Sequence, residues 1–589
     1  MSATLSAQAI PQARSWRGLP WLAVAISAVL GASTLAPQSG YVLNILVQAA
    51  TYAVAVAGLV VVLGYCGQIS LAQAAFFGLG AYGVALGTVD FGLPFLVALV
   101  VGVAVATVFG ILLGFASLRL GGHYLAMVTI SFQQILTLVL NNWIGLTHGP
   151  DGVRSIPRPA GFQSGPAFLA LCLVFLMCVT WYIWRLKSSR LGRAMQSVRD
   201  NEIAASTCGI DIFRTKVLAF AISALLGGLG GGLFAGGFAY ISPDQFTFGE
   251  SIVLLTMALL GGVQSPFGAL LGTGLLVILP EWLRFLKQVY LAVYGAAVIL
   301  IMVFLPDGLW GALAKRVRRD GPAVTGAGTP LPLLGQTGQP SQAEALTITG
   351  LAKHFGGLKA LDGIDMVVRQ GTVHALIGPN GSGKSTFINV TTGLYRPTAG
   401  RIVLAGRDVT ATAPHERTRA GLARTFQNIR VFRGMTVLEN VMVGAERPGN
   451  DVAGQPGAVV ERALAALHFV GLRADANRMV GTLSYGHQRY VEIARALAGS
   501  PAIVLLDEPA AGLNPTEKRE LGELLRRLKG HGLTILIVDH DMALVEQVAD
   551  HITVLNFGRR IADGAPGDVL AHPDVIAAYL GEPRSDAAA

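Results

Sequence analysis

The stretch Gly378-Pro379-Asn380-Gly381-Ser382-Gly383-Lys384-Ser385-Thr386 decides how this chain is read. Its glycines let the backbone wrap closely around phosphate oxygens, with N–H groups at the start of a helix pointing at the anion. Lys384 is then placed to reach the β- and γ-phosphates of a nucleotide, and the Ser385 hydroxyl to ligate Mg²⁺. On its own such a loop fits many kinases and GTPases, so the rest of the chain has to choose among them.

Toward the N-terminus the chemistry changes. The chain has 589 residues, of which 52% are hydrophobic and 13% charged. That length is too great for one core, and the apolar excess lies mostly before residue 313. Residues 18–89 contain no Asp, Glu, Lys or Arg, and the runs 91–118, 159–184, 217–243, 251–280 and 288–306 are equally free of charge. A spanning helix needs roughly 20 apolar residues, and over such lengths only helices satisfy their own backbone in lipid. The first half is therefore predicted to be an all-α polytopic membrane domain.

Reading apolar runs against polar punctuation places spans near 19–36, 41–63, 68–89, 92–117, 124–146 and 166–186. After a polar cytoplasmic stretch at 186–216, further spans lie near 217–240, 250–282 and 287–306. The run 250–282 is broken at Gln264-Ser265-Pro266. Reading it as two short or tilted helices returns the chain to the inside, for about ten spans. Gly227, Gly228, Gly230, Gly231, Gly232, Gly236 and Gly237 crowd one span; close helix packing explains them, a substrate path being the other reading. Gln68, Ser70, Gln73, Gln133, Gln134 and Asn141 either line a route for a small zwitterion or hydrogen-bond between helices.

The formal charge of +9 does not call for nucleic acid. Basic residues gather at Arg14 and Arg17, at Arg185, Lys187, Arg190 and Arg193, and at Lys315, Arg316, Arg318 and Arg319, each beside a span. That is the positive-inside pattern, which puts all three segments and the following domain in the cytoplasm. The basic N-terminal flank and the spans that follow it favour a retained first span over a cleaved signal peptide. Cys66, Cys172, Cys178 and Cys208 show no metal-ligand spacing and suit a reduced compartment. Residues 314–345, rich in Gly, Pro, Thr and Gln, read as a flexible linker. They separate a transmembrane domain over 1–313 from a nucleotide-binding domain over 346–589.

In that last domain short β-rich runs, at 373–377, 503–506 and 534–538, alternate with helical stretches, as in an α/β nucleotide-binding fold. The run Ile503-Val504-Leu505-Leu506 ends in Asp507-Glu508. Burying two unpaired carboxylates is costly, so they are expected to act: Asp507 holding Mg²⁺, Glu508 orienting or deprotonating water. Gln427, after Arg424-Thr425-Phe426, is placed to sense Mg²⁺ and that water. Phe355 either offers an aromatic face to adenine or is a core residue.

Leu483-Ser484-Tyr485-Gly486-His487-Gln488-Arg489, just before a helix expected over 490–498, resembles the signature of ATP-binding cassette (ABC) proteins, usually Leu-Ser-Gly-Gly-Gln. The resemblance implies that Ser484, Tyr485, Gly486 and His487 act in trans, Ser484 and Gly486 closing over a γ-phosphate held by the opposite subunit. It makes His540 the switch histidine that contacts the γ-phosphate, and Ala511-Gly512-Leu513-Asn514 the loop joining the two active sites. Tyr485 and His487 depart from the pattern, at positions that tolerate side chains.

A closer resemblance is to branched-chain amino acid uptake systems. Phe355-Gly356-Gly357-Leu358, Arg424-Thr425-Phe426-Gln427, Pro509-Ala510-Ala511-Gly512-Leu513-Asn514-Pro515 and His572-Pro573-Asp574-Val575 look like their ATPase. Gly121-Gly122-His123-Tyr124-Leu125-Ala126, Gly149-Pro150-Asp151-Gly152-Val153, Leu191-Gly192-Arg193-Ala194 and Ser242-Pro243-Asp244-Gln245-Phe246-Thr247-Phe248 look like their permease. It implies a permease fused to an ABC ATPase that uses ATP and Mg²⁺ in a bacterial inner membrane. The 193–209 stretch has helical composition, and its Ala204-Ala205-Ser206-Thr207-Cys208-Gly209 resembles an importer coupling helix, with Ala204, Ala205 and Gly209 as its core. Such a helix is expected to dock near Gln427 and residues 428–441. Partners implied are a second permease–ATPase half, identical or related, and an extracytoplasmic substrate-binding protein. Urea, short amides or aromatic acids stand as alternative cargo. An exporter or an ATP-gated channel is disfavoured by the coupling segment and by the absence of a ring of like charges.

Overall fold

The computed structural model describes residues 40–116, 122–283, 290–305, 307–317, 343–447 and 455–580. Two compact units emerge: 1–199 with 212–319, and 200–211 with 320–589. Twelve residues that lie between membrane helices in sequence thus belong to the nucleotide-binding unit.

The first unit is helical. Gly40–Leu59 runs on as a π-turn, Val60–Tyr65, followed by Gln73–Val89, Phe95–Ala116, His123–Asn142, Gly165–Lys187 and Ile212–Phe238. Phe248–Gly261 and Pro266–Leu283 come next, then Tyr290–Phe304 and Gly308–Val317. Among the described residues five helices are long and apolar enough to cross a membrane, or six if Phe248–Gly261 and Pro266–Glu281, bent by 119°, form one broken span. That bend falls at the expected break. Gln73–Val89 is apolar but shorter, because its chain enters through an irregular stretch after Tyr65 instead of starting at residue 68. The expected span at 19–36 and most of the expected linker lie outside the described residues, as do Arg14, Arg17, Arg318 and Arg319.

The glycine-rich helix Ile212–Phe238 packs as small residues allow. A Cβ on Gly231 would sit 1.8 Å from the Phe77 carbonyl oxygen, and one on Gly80 would sit 1.9 Å from that of Gly228. Backbones approach here more closely than any side chain permits. The buried amides join helices: Gln73 Nε2 donates to Ala55 O at 2.7 Å and Ser223 Oγ donates to Gln73 Oε1. Gln133 Nε2 likewise donates to Phe246 O at 2.7 Å, and Gln133 Oε1 accepts from Ser251 Oγ. Gln68 and Asn141 bond locally, to Cys66 O and Thr137 O.

The second unit is α/β. Its six-stranded sheet runs in the order Arg559–Gly564, His551–Asn556, Val373–Ile377, Thr534–Val538, Ile503–Asp507, Leu422–Arg424. All neighbours are parallel except the first pair. The strands Val373–Ile377, Ile503–Asp507 and Thr534–Val538 are buried along their whole length, as parallel strands covered on both faces must be. An antiparallel sheet of Leu358–Arg369, Glu344–Phe355, Ala399–Leu404 and Arg407–Asp408 lies in the same unit. A helical layer (Val437–Ala445, Pro456–Phe469 and Tyr485–Ala498) closes around its own apolar cluster. In such sheets ligands bind beyond the carboxyl ends of the strands, which is where Gly378, Glu508 and Asp539 fall.

Candidate nucleotide site

The phosphate loop joins strand Val373–Ile377 to helix Lys384–Thr391. Gly378, Gly381 and Gly383 have φ of +151°, +81° and +103°, conformations that glycine adopts without cost. A Cβ on Gly378 would lie 2.2 Å from Leu555 O, and one on Gly383 2.6 Å from Ala360 O. Only glycine fits there. Lys384 Nζ donates to the carbonyls of Gly378 and Pro379 at 2.6 and 2.9 Å, folding across the mouth of the loop. Burial pushes its ammonium pKa down, against the opposing pull of Glu508. Among the described residues the buried Ser382 hydroxyl has no hydrogen-bond partner, an orphaned donor inside a cradle shaped for an anion. Asn380 and Ser385 are exposed and Pro379 and Thr386 half-buried.

Asp507 ends its strand and Glu508 follows at φ +44°, a left-handed conformation that is uncommon for a non-glycine residue and concentrates at functional sites. Its N–H donates to Val538 O at 2.7 Å, so the neighbouring strand holds the turn. Three expected residues meet at one atom. Glu508 Oε2 accepts from Gln427 Nε2 at 2.8 Å and lies 3.5 Å from His540 Nδ1. His540 is aimed by buried Asp539, whose Oδ1 accepts its backbone N–H at 2.8 Å.

The expected Mg²⁺ set is a Ser385 hydroxyl, a Gln427 amide and an Asp507 carboxylate. These are hard oxygen donors of the kind Mg²⁺ selects, so the residues fit the ion chemically. Asp507 Oδ2 is engaged by Arg424 Nη2 at 3.0 Å, and Arg424 Nη1 in turn reaches Asn389 and Thr392. Burial lowers the Arg424 pKa and Asp507 counters it.

The helix expected over 490–498 begins earlier, at Tyr485, because Ser484 caps it: its Oγ accepts from His487 N. The signature therefore is the first turn of the helix and does not precede it. Ser484, Tyr485 and His487 are exposed, whereas a Cβ on Gly486 would lie 2.6 Å from Glu517 Oε1. Asn514 caps helix Pro515–Gly530, accepting from the N–H groups of Thr516 and Glu517. Phe355 is exposed and not a core residue; its ring meets the Tyr395 ring edge-on at 5.5 Å, with Lys353 Nζ 4.9 Å from its centroid.

The single helical stretch expected over 193–209 is instead broken at Asn201, which caps a short helix Glu202–Ser206 through Ala204 N. Within the nucleotide-binding unit Ala204 and Cys208 pack against Phe426, Phe432, Met435 and Val443. Asn201 Oδ1 accepts from Arg430 Nη1 at 3.1 Å, and Asp200 Oδ2 from Gly434 N at 2.8 Å. The carbonyls of Thr207 and Gly209 accept from Thr418 and Arg419. Gly209 has φ +85°, so the glycine ending this segment is required by its backbone. Ala205 is fully buried.

Arg489, Glu492 and Arg495 have no role assigned by the sequence reading, although Arg489 ends the quoted signature. All three are buried. Glu492 lies 3.1 Å from Arg489 Nη1 and 3.6 Å from Arg495 Nη2. Arg489 donates to the carbonyls of Phe426 and Gln427, and Arg495 to that of Arg430 at 2.9 Å. The triad therefore ties the signature helix to the backbone of Gln427 and to Arg430, which holds Asn201. Three charges at i, i+3 and i+6 would share one helix face, and that spacing was the available signal.

Residues 41–305 match the family model of the branched-chain amino acid transport system permease component, 361–511 that of the ABC transporter, and 559–584 that of the branched-chain amino acid ATP-binding cassette transporter. The high-affinity branched-chain amino acid transport ATP-binding protein BraF of Pseudomonas aeruginosa is 44% identical over 249 residues, 40% of this chain and 98% of the relative. LivG of Escherichia coli, described in the same words, is 42% identical over 250 residues, again 98% of its length. A probable counterpart from Archaeoglobus fulgidus is 38% identical over 249 residues, 97% of its length. These relatives align with the nucleotide-binding unit and the permease model with the helical one, so the chain belongs to the branched-chain amino acid ABC transporter family and carries permease and ATP-binding components in one polypeptide.

Proposed function

We propose that this protein imports branched-chain or other hydrophobic amino acids across a bacterial inner membrane, driven by ATP hydrolysis. The observation that carries the reading is the convergence of Gln427 and His540 on one Glu508 oxygen, in the unit where residues 200–211 dock. In this reading the phosphate loop, residues 378–386, holds the nucleotide, Lys384 exchanges its two loop carbonyls for phosphate oxygens, and the Ser382 hydroxyl gains its missing partner. Phe355 stacks on the adenine. Glu508 takes the proton of the attacking water, Gln427 orients that water, and His540 contacts the γ-phosphate. Ser385, Gln427 and Asp507 would hold Mg²⁺, which when bound supplies charge neutralisation at the phosphates.

Ser484, Tyr485, Gly486 and His487 serve the nucleotide of the opposite half, which is a second copy or a related chain; the exposure of Ser484, Tyr485 and His487 in this single chain supports that role. Residues 1–313 act as the permease, 314–345 as the linker and 346–589 as the cytoplasmic ATPase. Movement of the Gln427 segment would pass through Arg430 and the Phe426–Phe432 cluster to Ala204, Ala205 and Gly209. An extracytoplasmic binding protein delivers the substrate. The test is uptake of labelled leucine by cells expressing the chain with its partner subunits, wild type against Glu508→Gln, with labelled urea in parallel. Concentrative leucine uptake lost in Glu508→Gln is expected. Urea uptake alone would replace the cargo, and flux surviving Glu508→Gln would overturn active import.

A further inference from the structure

At the opposite end of the Val373–Ile377 strand from the phosphate loop, three side chains of metal-ligand type converge. His374 lies on that strand and His551 is its register partner on the parallel neighbour His551–Asn556. On the antiparallel edge strand Arg559–Gly564, Asp563 stands opposite Thr553. The donor atoms of His374, His551 and Asp563 all lie within 4.8 Å of one another. We propose that these three residues form a binding site for a zinc-class divalent transition metal, separate from the nucleotide site and independent of the transport reading.

The donor set is two imidazoles and one carboxylate, a combination that zinc sites use with solvent in the fourth position. Tetrahedral donors about 2.1 Å from a zinc ion are about 3.4 Å apart. His551 Nε2 and Asp563 Oδ2 are already 3.2 Å apart, so closure falls mainly to the His374 ring. That ring is 98% buried, being 2% exposed, and burial favours the neutral imidazole, the form that binds metal. The rings of His374 and His551 stand 4.8 Å apart, tilted by 45°. The buried Thr553 hydroxyl donates to Asp563 Oδ1 and lies 2.8 Å from His374 Nε2. One hydroxyl thus anchors two of the three candidate ligands, the kind of outer support that orients metal ligands. His551 and Asp563 are partly exposed, which leaves an entry path and an open position. The strand rise places His374 about 13 Å from Gly378.

The competing occupant is a proton: a protonated His551 would make an ordinary ion pair with Asp563, and the Arg560 guanidinium stands 3.8 Å from the same oxygen. The experiment uses the full chain in detergent, purified without a polyhistidine tag, stripped with chelator and titrated with Co²⁺, then back-titrated with Zn²⁺. The proposal expects one Co²⁺ per chain with visible absorption of tetrahedral type, displaced by Zn²⁺. His551→Ala and Asp563→Asn should each weaken binding at least about tenfold. Zn²⁺ should raise the melting temperature of the wild type but not of the variants, and both variants should keep wild-type nucleotide binding, which shows that they fold. No Co²⁺ absorption in the wild type, or binding that both variants retain in full, would overturn it in favour of the ion pair.

Discussion

Removing the charge of Glu492 while keeping its shape should be among the most damaging single changes in the nucleotide-binding unit. In Glu492→Gln the guanidiniums of Arg489 and Arg495, 0% and 3% exposed, would face each other across a neutral amide. Breaking a buried ion pair by removing one partner costs about 3–5 kcal/mol, because the charge left behind has neither water nor counter-ion. For a domain of this size a kilocalorie moves the melting temperature by about 2–4 °C, so the ATPase transition should fall by about 6–20 °C. Burial pushes the Glu492 carboxyl pKa up, while Arg495 and Arg489 pull it down. The prediction requires that the two guanidiniums keep it ionised. The assay is thermal unfolding of the full chain, wild type against Glu492→Gln and the triple change Arg489→Met, Glu492→Leu, Arg495→Met. The apolar triple variant should recover part of the loss, since replacing a whole buried ion cluster by apolar side chains is commonly neutral or stabilising, while the carbonyls of Phe426, Gln427 and Arg430 lose their guanidinium donors. A shift under about 2 °C in Glu492→Gln would refute the argument, showing either a protonated carboxyl or arginines that reach water.

Gly231→Leu should abolish folded permease, because any Cβ would meet Phe77 O at 1.8 Å; membrane-inserted yield and monodispersity check it. Arg430→Ala should weaken the hold on Asn201 and uncouple transport, leaving at least about half of the ATPase activity but lowering leucine moved per ATP severalfold. Asp541 accepts from Lys518 Nζ at 2.7 Å and caps helix Met542–Val548, and the Lys518 bond holds its carboxyl below the usual 3.8. A depressed carboxyl contributes above its unfolded pKa and loses that contribution as pH falls through the folded value. Asp541→Asn, which keeps a capping oxygen, should therefore cost under about 1 kcal/mol at pH 7. The gap should close as pH drops below about 4; urea melts at both pH values test it.

The phosphate loop, the Asp507-Glu508 pair and the apolar runs were legible without coordinates because each is a local pattern imposed by one physical need. A loop that wraps phosphate must be glycine-rich, a strand covered on both faces must be apolar, and a lipid-facing helix cannot carry charge. The break at Gln264-Ser265-Pro266 is of the same kind, since the residue before a proline is steered away from helical backbone and proline suits the first turn of the helix that follows. Helix starts were less legible: Ser484 stands inside a recognisable motif, yet as the cap of helix Tyr485–Ala498 it starts that helix five residues before the expected 490.

Tertiary structure alone decided what residues distant in sequence do together. It brought Gln427, Glu508 and His540 to one oxygen, gave residues 200–211 to the nucleotide-binding unit, and buried Arg489, Glu492 and Arg495 as one charged cluster. It also set His374 and His551 side by side with Asp563. Periodicity and motif spacing record the demands of one helix, strand or loop; which elements become neighbours depends on strand order and on how faces fill space, and no stretch of this chain states that by itself.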